Sequence, residues 1–449
     1  MKSRVETFAR GLDSQTTKSV RAASAQKVAA RAAALPRAFE DPQAARAYAH
    51  AVKDHVLRNL KAFLLQFEER CQANGIVVHW AQDADSANRQ ILEICRAAAP
   101  EGGVVVKAKS MATEEIHLNR HLEEAGFRPV ETDLGEFVVQ IDGDTPSHIV
   151  TPIIHKNRKQ IAESFRRSQL GDYTEVPEEL TMQARAHLRA QFRAAKIGIS
   201  GVNFGVAETG RLVLVENEGN SRLSTTAPRV HIAVMGIEKF VPKEDDLAVF
   251  LPLLAGSATG QAITTYVHFI TGPRQNGEPD GPEEVHLVLL DNGRTKVLNG
   301  PYRDILRCIR CGACLNVCPV YRQASGHAYG HVYSGPLGAV LAPAMEGVEA
   351  LGDLAKASSL CGACEEACPV RIPIPDLLLR LRKEAGLEDG VPWKWFGKAA
   401  VRAATWRTGL RLLPLASKLP HPLKSAWTAR RDLPTREGRD FRRWWHERS

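Results

Sequence analysis

Between residues 76 and 290 the apolar positions gather into short β-branched runs, and between the runs they return to a helical period. IVVHW (76–80), VVVKA (104–108), FVVQI (137–141), RLVLVE (211–216), VHIAVMG (230–236), TTYVHFI (264–270) and VHLVLL (285–290) read as strands. Helical patterns at 86–98 and 113–125 separate the early ones. Runs without polar alternation suit strands buried on both faces, so the pattern predicts an α/β domain with a largely parallel sheet. Upstream, Pro42 opens a helical stretch to about residue 70, with Val52, Val56, Leu60, Phe63, Leu64 and Phe67 on one face. The Arg-, Gln- and Glu-rich region 156–196 reads as helical and outside the sheet.

The first residues are rich in Arg, Ala and Ser, but Glu6 and Asp13 interrupt the pattern of a targeting segment. An exposed helical arm is expected there. The segment 335–359, GPLGAVLAPAMEGVEALGDLAKASS, reads as helix with a Gly/Pro-rich entry, and 376–384 as another. The expected organisation is an arm at 1–70, an α/β domain at 71–296, a helix-rich module at 297–387 and a C-terminal region at 388–449. A chain of 449 residues supports that many units, and 44% hydrophobic content supplies their cores. No run of eighteen apolar residues is present, which predicts no membrane span.

Cysteine spacing brings in the chemistry. RCIRCGACLNVCPV (307–320) carries Cys308, Cys311, Cys314 and Cys318 as C-x-x-C-x-x-C-x-x-x-C followed by proline. LCGACEEACPV (360–370) repeats it incompletely with Cys361, Cys364 and Cys368. Three thiolates two residues apart wrap one face of an iron–sulfur cluster, and the proline-followed cysteine ligates the other cluster of the pair. That rule assigns cluster 1 to Cys308, Cys311, Cys314 and Cys368, and cluster 2 to Cys318, Cys361 and Cys364. Ser358 stands where a full second motif would have its first cysteine, leaving cluster 2 with three thiolates. The clusters are expected to be 4Fe–4S, the second isolable as 3Fe–4S. Structural zinc prefers two separated C-x-x-C pairs, and a disulfide framework would not pack seven of nine cysteines into two short motifs. Reduced cysteines of this kind fit a cytoplasmic address.

Net charge is +8, and its origin is local: residues 391–449 hold 14 Lys or Arg against 4 Asp or Glu, with six of seven tryptophans. Pro392, Pro414, Pro420, Pro422 and Pro434 break this tail, which favours an acidic partner face over a peripheral membrane contact. Nucleic-acid binding is a poorer reading beside two cluster motifs. In the α/β domain, Lys107, Lys109 and Ser110 follow a strand at a helix entrance, with Thr113 as the expected N-cap. Glu208, Thr209, Asn217, Glu218, Gly219, Asn220 and Arg222 bracket the 211–216 strand, where they serve either a ligand or the turns themselves. His148, His155, His268 and His286 are scattered singly, as structural histidines are. Dinucleotide, Walker and c-type haem motifs are lacking.

The segments KSMATEEIHLN and GVAETGRLVLVENEGNSR, the paired cluster motifs and the final FRRWW resemble the lactate-utilisation protein B family, the iron–sulfur subunit of a bacterial L-lactate oxidation system. The resemblance covers nearly the whole chain. It implies a LUD domain of the sugar-isomerase and CoA-transferase type, then a two-cluster ferredoxin-like domain and a short basic C-terminal domain. It implies two partners, a cysteine-rich subunit and a second LUD-domain subunit, acting together to convert L-lactate to pyruvate. No catalytic residue carries over. The residues alone describe an electron carrier joined to an α/β domain. The competing reading is a self-contained oxidoreductase whose LUD domain binds a small hydroxy acid.

Overall fold

The computed structural model describes residues 3–386, 391–416 and 441–448. The chain divides into two compact units, Met1–Leu387 and Glu388–Ser449. The described residues of the first unit form ten strands: β1 (Val77–Ala81), β2 (Gly103–Lys107), β3 (Phe127–Glu131), β4 (Ile197–Gly201), β5 (Phe204–Val206), β6 (Arg211–Glu216), β7 (Val230–Gly236), β8 (Phe240–Val241), β9 (Tyr266–Ile270) and β10 (Glu284–Leu290). Six of them form a sheet in the order β1-β10-β7-β4-β2-β3, every pair parallel. The central strand β7 is buried along its whole length, which explains its unbroken apolar sequence. Ile91 and Leu122 pack on one face of this sheet, and Leu60, Leu64 and Phe67 on the other.

A second sheet, β8-β5-β6-β9, is mixed rather than parallel: β6 runs antiparallel to β5 and to β9. The runs at 211–216 and 264–270 therefore belong to a different layer from the parallel strands, a split that apolar runs do not encode. FVVQI is not a strand. It lies in the helix Leu134–Ile141, because the Asp133 side chain caps that helix by accepting from Glu136 N at 3.0 Å. The sheet edge is taken instead by β3. The expected helix at 113–125 is two helices, Met111–Glu115 and Leu118–Glu124, separated by His117 at φ 51°. Its N-cap is Ser110 rather than Thr113. The 42–70 stretch likewise breaks at Asn59 into Pro42–Arg58 and Leu60–Ala73.

The N-terminal arm is not exposed. Val5, Val20, Ser24 and Leu35 are buried, and Val5, Val20 and Leu35 share a core with β5, β6 and the cysteine-bearing module. Polar contacts fix the same docking: Arg4 Nε meets Asp353 at 3.0 Å, and Arg31 Nη2 donates to Ala367 O at 3.0 Å. The module itself is helical, with helices Gly335–Glu346 and Ile374–Glu384 flanking its cysteine loops.

Tyr321 of the module donates to Ser147 O at 2.7 Å, and the Ser147 and Ser325 hydroxyls meet at 2.8 Å. Gly326 passes so close that an added Cβ would lie 1.8 Å from Ser147 O. Gly326→Ala is therefore expected to cost about 1–3 kcal/mol through forced backbone movement, read as a lower urea midpoint.

The second unit contains helices Val391–Ala400, Ala403–Ala416 and Phe441–His446. Pro414 lies within the second of these rather than ending it. Trp395 and Trp445 are exposed, while Trp393 and Trp427 fall outside the described side chains. No described helix is long and apolar enough to cross a membrane.

Candidate metal centre

Two loops of the module repeat one backbone path. In the first, Arg310 and Gly312 flank Cys311 at φ 61° and 74°; in the second, Leu360 and Gly362 flank Cys361 at 56° and 85°. Each glycine then starts a short helix, Ala313–Val317 or Ala363–Ala367, that carries the next cysteine. A left-handed backbone at that point is why both loops read Cys-Gly-Ala-Cys.

The loops bring Cys308, Cys311, Cys314 and Cys368 around one small cavity, closed by Ile309, Leu337, Val370 and Ile372. Backbone N–H groups point at the sulfurs: Arg310 N to Cys308 Sγ at 3.3 Å and Ile372 N to Cys368 Sγ at 3.4 Å. None of the nine cysteines is in a disulfide. Burial, then the neighbouring Cys308, push the Cys311 and Cys314 thiols up, a penalty that a cationic metal core would offset. Arg46 donates to Cys368 O at 2.8 Å and holds the second loop in place. Apolar walls, converging sulfurs and amide donors fit an iron–sulfur cluster.

Cys318, Cys361 and Cys364 lie within electrostatic reach of one another. Burial, then Cys318, raise the Cys364 thiol to about 12, and Tyr321 N approaches Cys318 Sγ at 3.5 Å. Cys361 is exposed, and its thiol is lowered by the Ala363 backbone N–H and next by the Ser359 hydroxyl. Ser358 Oγ accepts from Leu360 N at 3.1 Å, the same two-residue bond that Cys308 Sγ accepts from Arg310 N.

Beside the cysteine loops lies a cavity of about 460 Å³ at the end of the parallel sheet. Lys109, Ser110, Asn217, Glu218 and Asn220 line it, as do Asp133, Asn203, Glu216, Lys239 and Arg310. Lys107 does not; its ammonium is buried on Glu131 at 2.6 Å, Asn119 at 2.7 Å and Glu114 at 3.3 Å. Glu208, Thr209 and Arg222 also lie off the cavity, the first two in the turn before the 211–216 strand and Arg222 in the helix Asn220–Thr226. Burial, then Asp133, raise Glu218 to about 7. The histidines are partnered within the fold: His148 Nδ1 accepts from Val150 N, His155 meets Asp144 at 2.9 Å, His268 meets Glu216 at 2.6 Å, and His286 meets His79.

Sequence patterns miss the charges behind this cavity. Arg294 takes Glu115 with both terminal nitrogens at 2.8 Å and Glu238 with Nε at 2.7 Å. Arg310 reaches Glu238 at 3.1 Å and stacks over Tyr333 at 4.9 Å. Lys53 donates to Glu238 O at 2.6 Å, and Lys239 to Val202 O at 3.0 Å. Burial lowers both ammonium groups to about 8. The only early hint is Arg310's place between two cysteines.

Residues 64–290 match the family model of the LUD domain, and residues 304–372 that of the 4Fe-4S dicluster domain. Lactate utilization protein B of Anoxybacillus flavithermus is 45% identical over 421 residues, covering 90% of this chain and 89% of that one. The protein of that name from Bacillus subtilis is 45% identical over 90% of this chain and 87% of its own. An uncharacterized electron transport protein of Escherichia coli is 45% identical over 88% of this chain and 86% of its own.

Proposed function

We propose, from the premise that this chain belongs to the lactate utilization protein B family, that it is the iron–sulfur electron-transfer subunit of a system oxidising L-lactate to pyruvate. The observation that carries this reading is the cavity lined by Cys308, Cys311, Cys314 and Cys368, sulfurs from two distant loops converging on one space. These four would hold one cluster, and Cys318, Cys361 and Cys364 the other, both of the 4Fe–4S type. Bound there, such clusters accept and pass single electrons. Arg46 fixes the Cys368 loop, the amides of Arg310 and Ile372 donate to sulfur, and Leu337 and Ile374 keep water from the first site. Oxidation of a hydroxy acid releases two electrons, which paired clusters can carry one at a time. The proton chemistry then falls to two partners, which we take to be a cysteine-rich subunit and a second LUD-domain subunit in the cytoplasm.

Electron paramagnetic resonance on the anaerobically co-purified complex tests this. Adding L-lactate is expected to raise the signal of reduced clusters, and no change on addition would contradict the role. The 460 Å³ cavity favours a second reading, an oxidoreductase acting alone. Lactate-dependent dye reduction by the single chain would establish that instead.

A further inference from the structure

Four cations, Lys53, Lys239, Arg294 and Arg310, surround two carboxylates, Glu115 and Glu238, in the wall between the large cavity and the Cys308 loop. Buried charge of one sign in excess is unfavourable unless something anionic answers it. A thiolate-held cluster answers part, since Cys308 lies within electrostatic reach of Lys53, Lys239 and Arg310. It does not account for the side facing the cavity. Lys239 and Arg310 both line that space. One of the three donors of Lys239 is taken, by Val202 O, and Nε and Nη1 of Arg310 are buried without a partner. The contrast with Lys107, saturated by two carboxylates and an amide, is direct.

The remaining lining selects the ligand. Ile149, Ile153, Leu214 and Leu254 make an apolar body. Asp133 and Glu216 border the cavity too, and Lys109, which donates to Val150 O, faces the acidic side at Glu218, so an anion is steered toward Lys239 and Arg310. The volume is far larger than a three-carbon acid needs. We propose that this cavity binds an organic acid with an apolar chain, its carboxylate on Lys239 and Arg310, and that its occupancy is felt by the cluster of the Cys308 loop. An anion placed there cancels part of the positive field on that cluster and lowers its reduction potential. By reciprocity, reduction of the cluster weakens acid binding by the same factor. The potential arm rests on the cluster assignment proposed above; the binding arm does not.

The test uses the anaerobically prepared full chain and straight-chain 2-oxo acids from pyruvate to 2-oxooctanoate. Calorimetry is expected to give saturable binding that tightens about threefold to fourfold per added methylene. Lys239→Gln should weaken binding about tenfold or more with iron content unchanged, and Lys239→Arg should restore it. The midpoint potential of the Cys308-loop cluster should fall on adding the acid, and Lys239→Gln should abolish that shift. Should Lys239→Gln lose iron, Ala258→Phe, at a small residue of the cavity lining, must block binding equally with iron content unchanged. Absence of saturable binding at every chain length, or affinity unchanged in both variants, overturns the site. Binding without a shift in potential overturns its link to the cluster.

Discussion

Cys368→Ala is expected to erase the cluster anchored by Cys308, Cys311 and Cys314, and to leave the cluster beside its own neighbour Cys364 in place. Iron should drop from about eight to about four per chain, with one of two resonance signals lost. The reason is topological. The Cys368 sulfur borders the same cavity as the first loop's sulfurs, while Cys364 lies with Cys318 and Cys361. Arg46 and Ile372 N hold Cys368 in that position from outside the second loop. Cys364→Ala should remove the complementary signal. Identical spectra from the two variants would break the cross-ligated assignment. Arg46→Gln gives a graded version: the sulfur stays but its loop loosens, so the same cluster should load less completely.

The sequence makes the parallel sheet legible because β7 and β10 are too apolar to be anything but doubly covered strands. It makes the cysteine loops legible because thiolate spacing and left-handed glycines leave a local mark. FVVQI fails since capping by Asp133 outweighs β propensity at a site where burial, not pairing, is satisfied. The arm misleads for another reason: its alanines pack against helices contributed from some three hundred residues away, a match that no local period records. The cavity is half legible. Lys109, Ser110, Asn217, Glu218 and Asn220 announce themselves by position after strands. Lys239, Glu238 and Arg294 do not, because their importance comes from meeting across the fold.

Cluster 2 is expected to lose one iron in air while cluster 1 keeps all four. Its three thiolates leave one corner to a harder ligand, and the structure places Ser358 in the matching position. Its Oγ accepts the Leu360 amide just as Cys308 Sγ accepts the Arg310 amide, each two residues on. The loop therefore already has the shape of a four-ligand loop, with oxygen where sulfur would be. Oxygen binds iron more weakly than thiolate does, and the exposed Cys361 lets oxidant approach. Aerobic preparations should show an oxidised three-iron signal, and anaerobic ones about eight irons per chain. Because the backbone path is shared, Ser358→Cys should suppress the conversion, whereas Ser358→Ala should hasten it. Ser359, whose hydroxyl bonds the Cys361 sulfur instead, is the control: Ser359→Cys should not protect the corner. Equal survival of both clusters in the unaltered protein under air would leave the three-thiolate site without support.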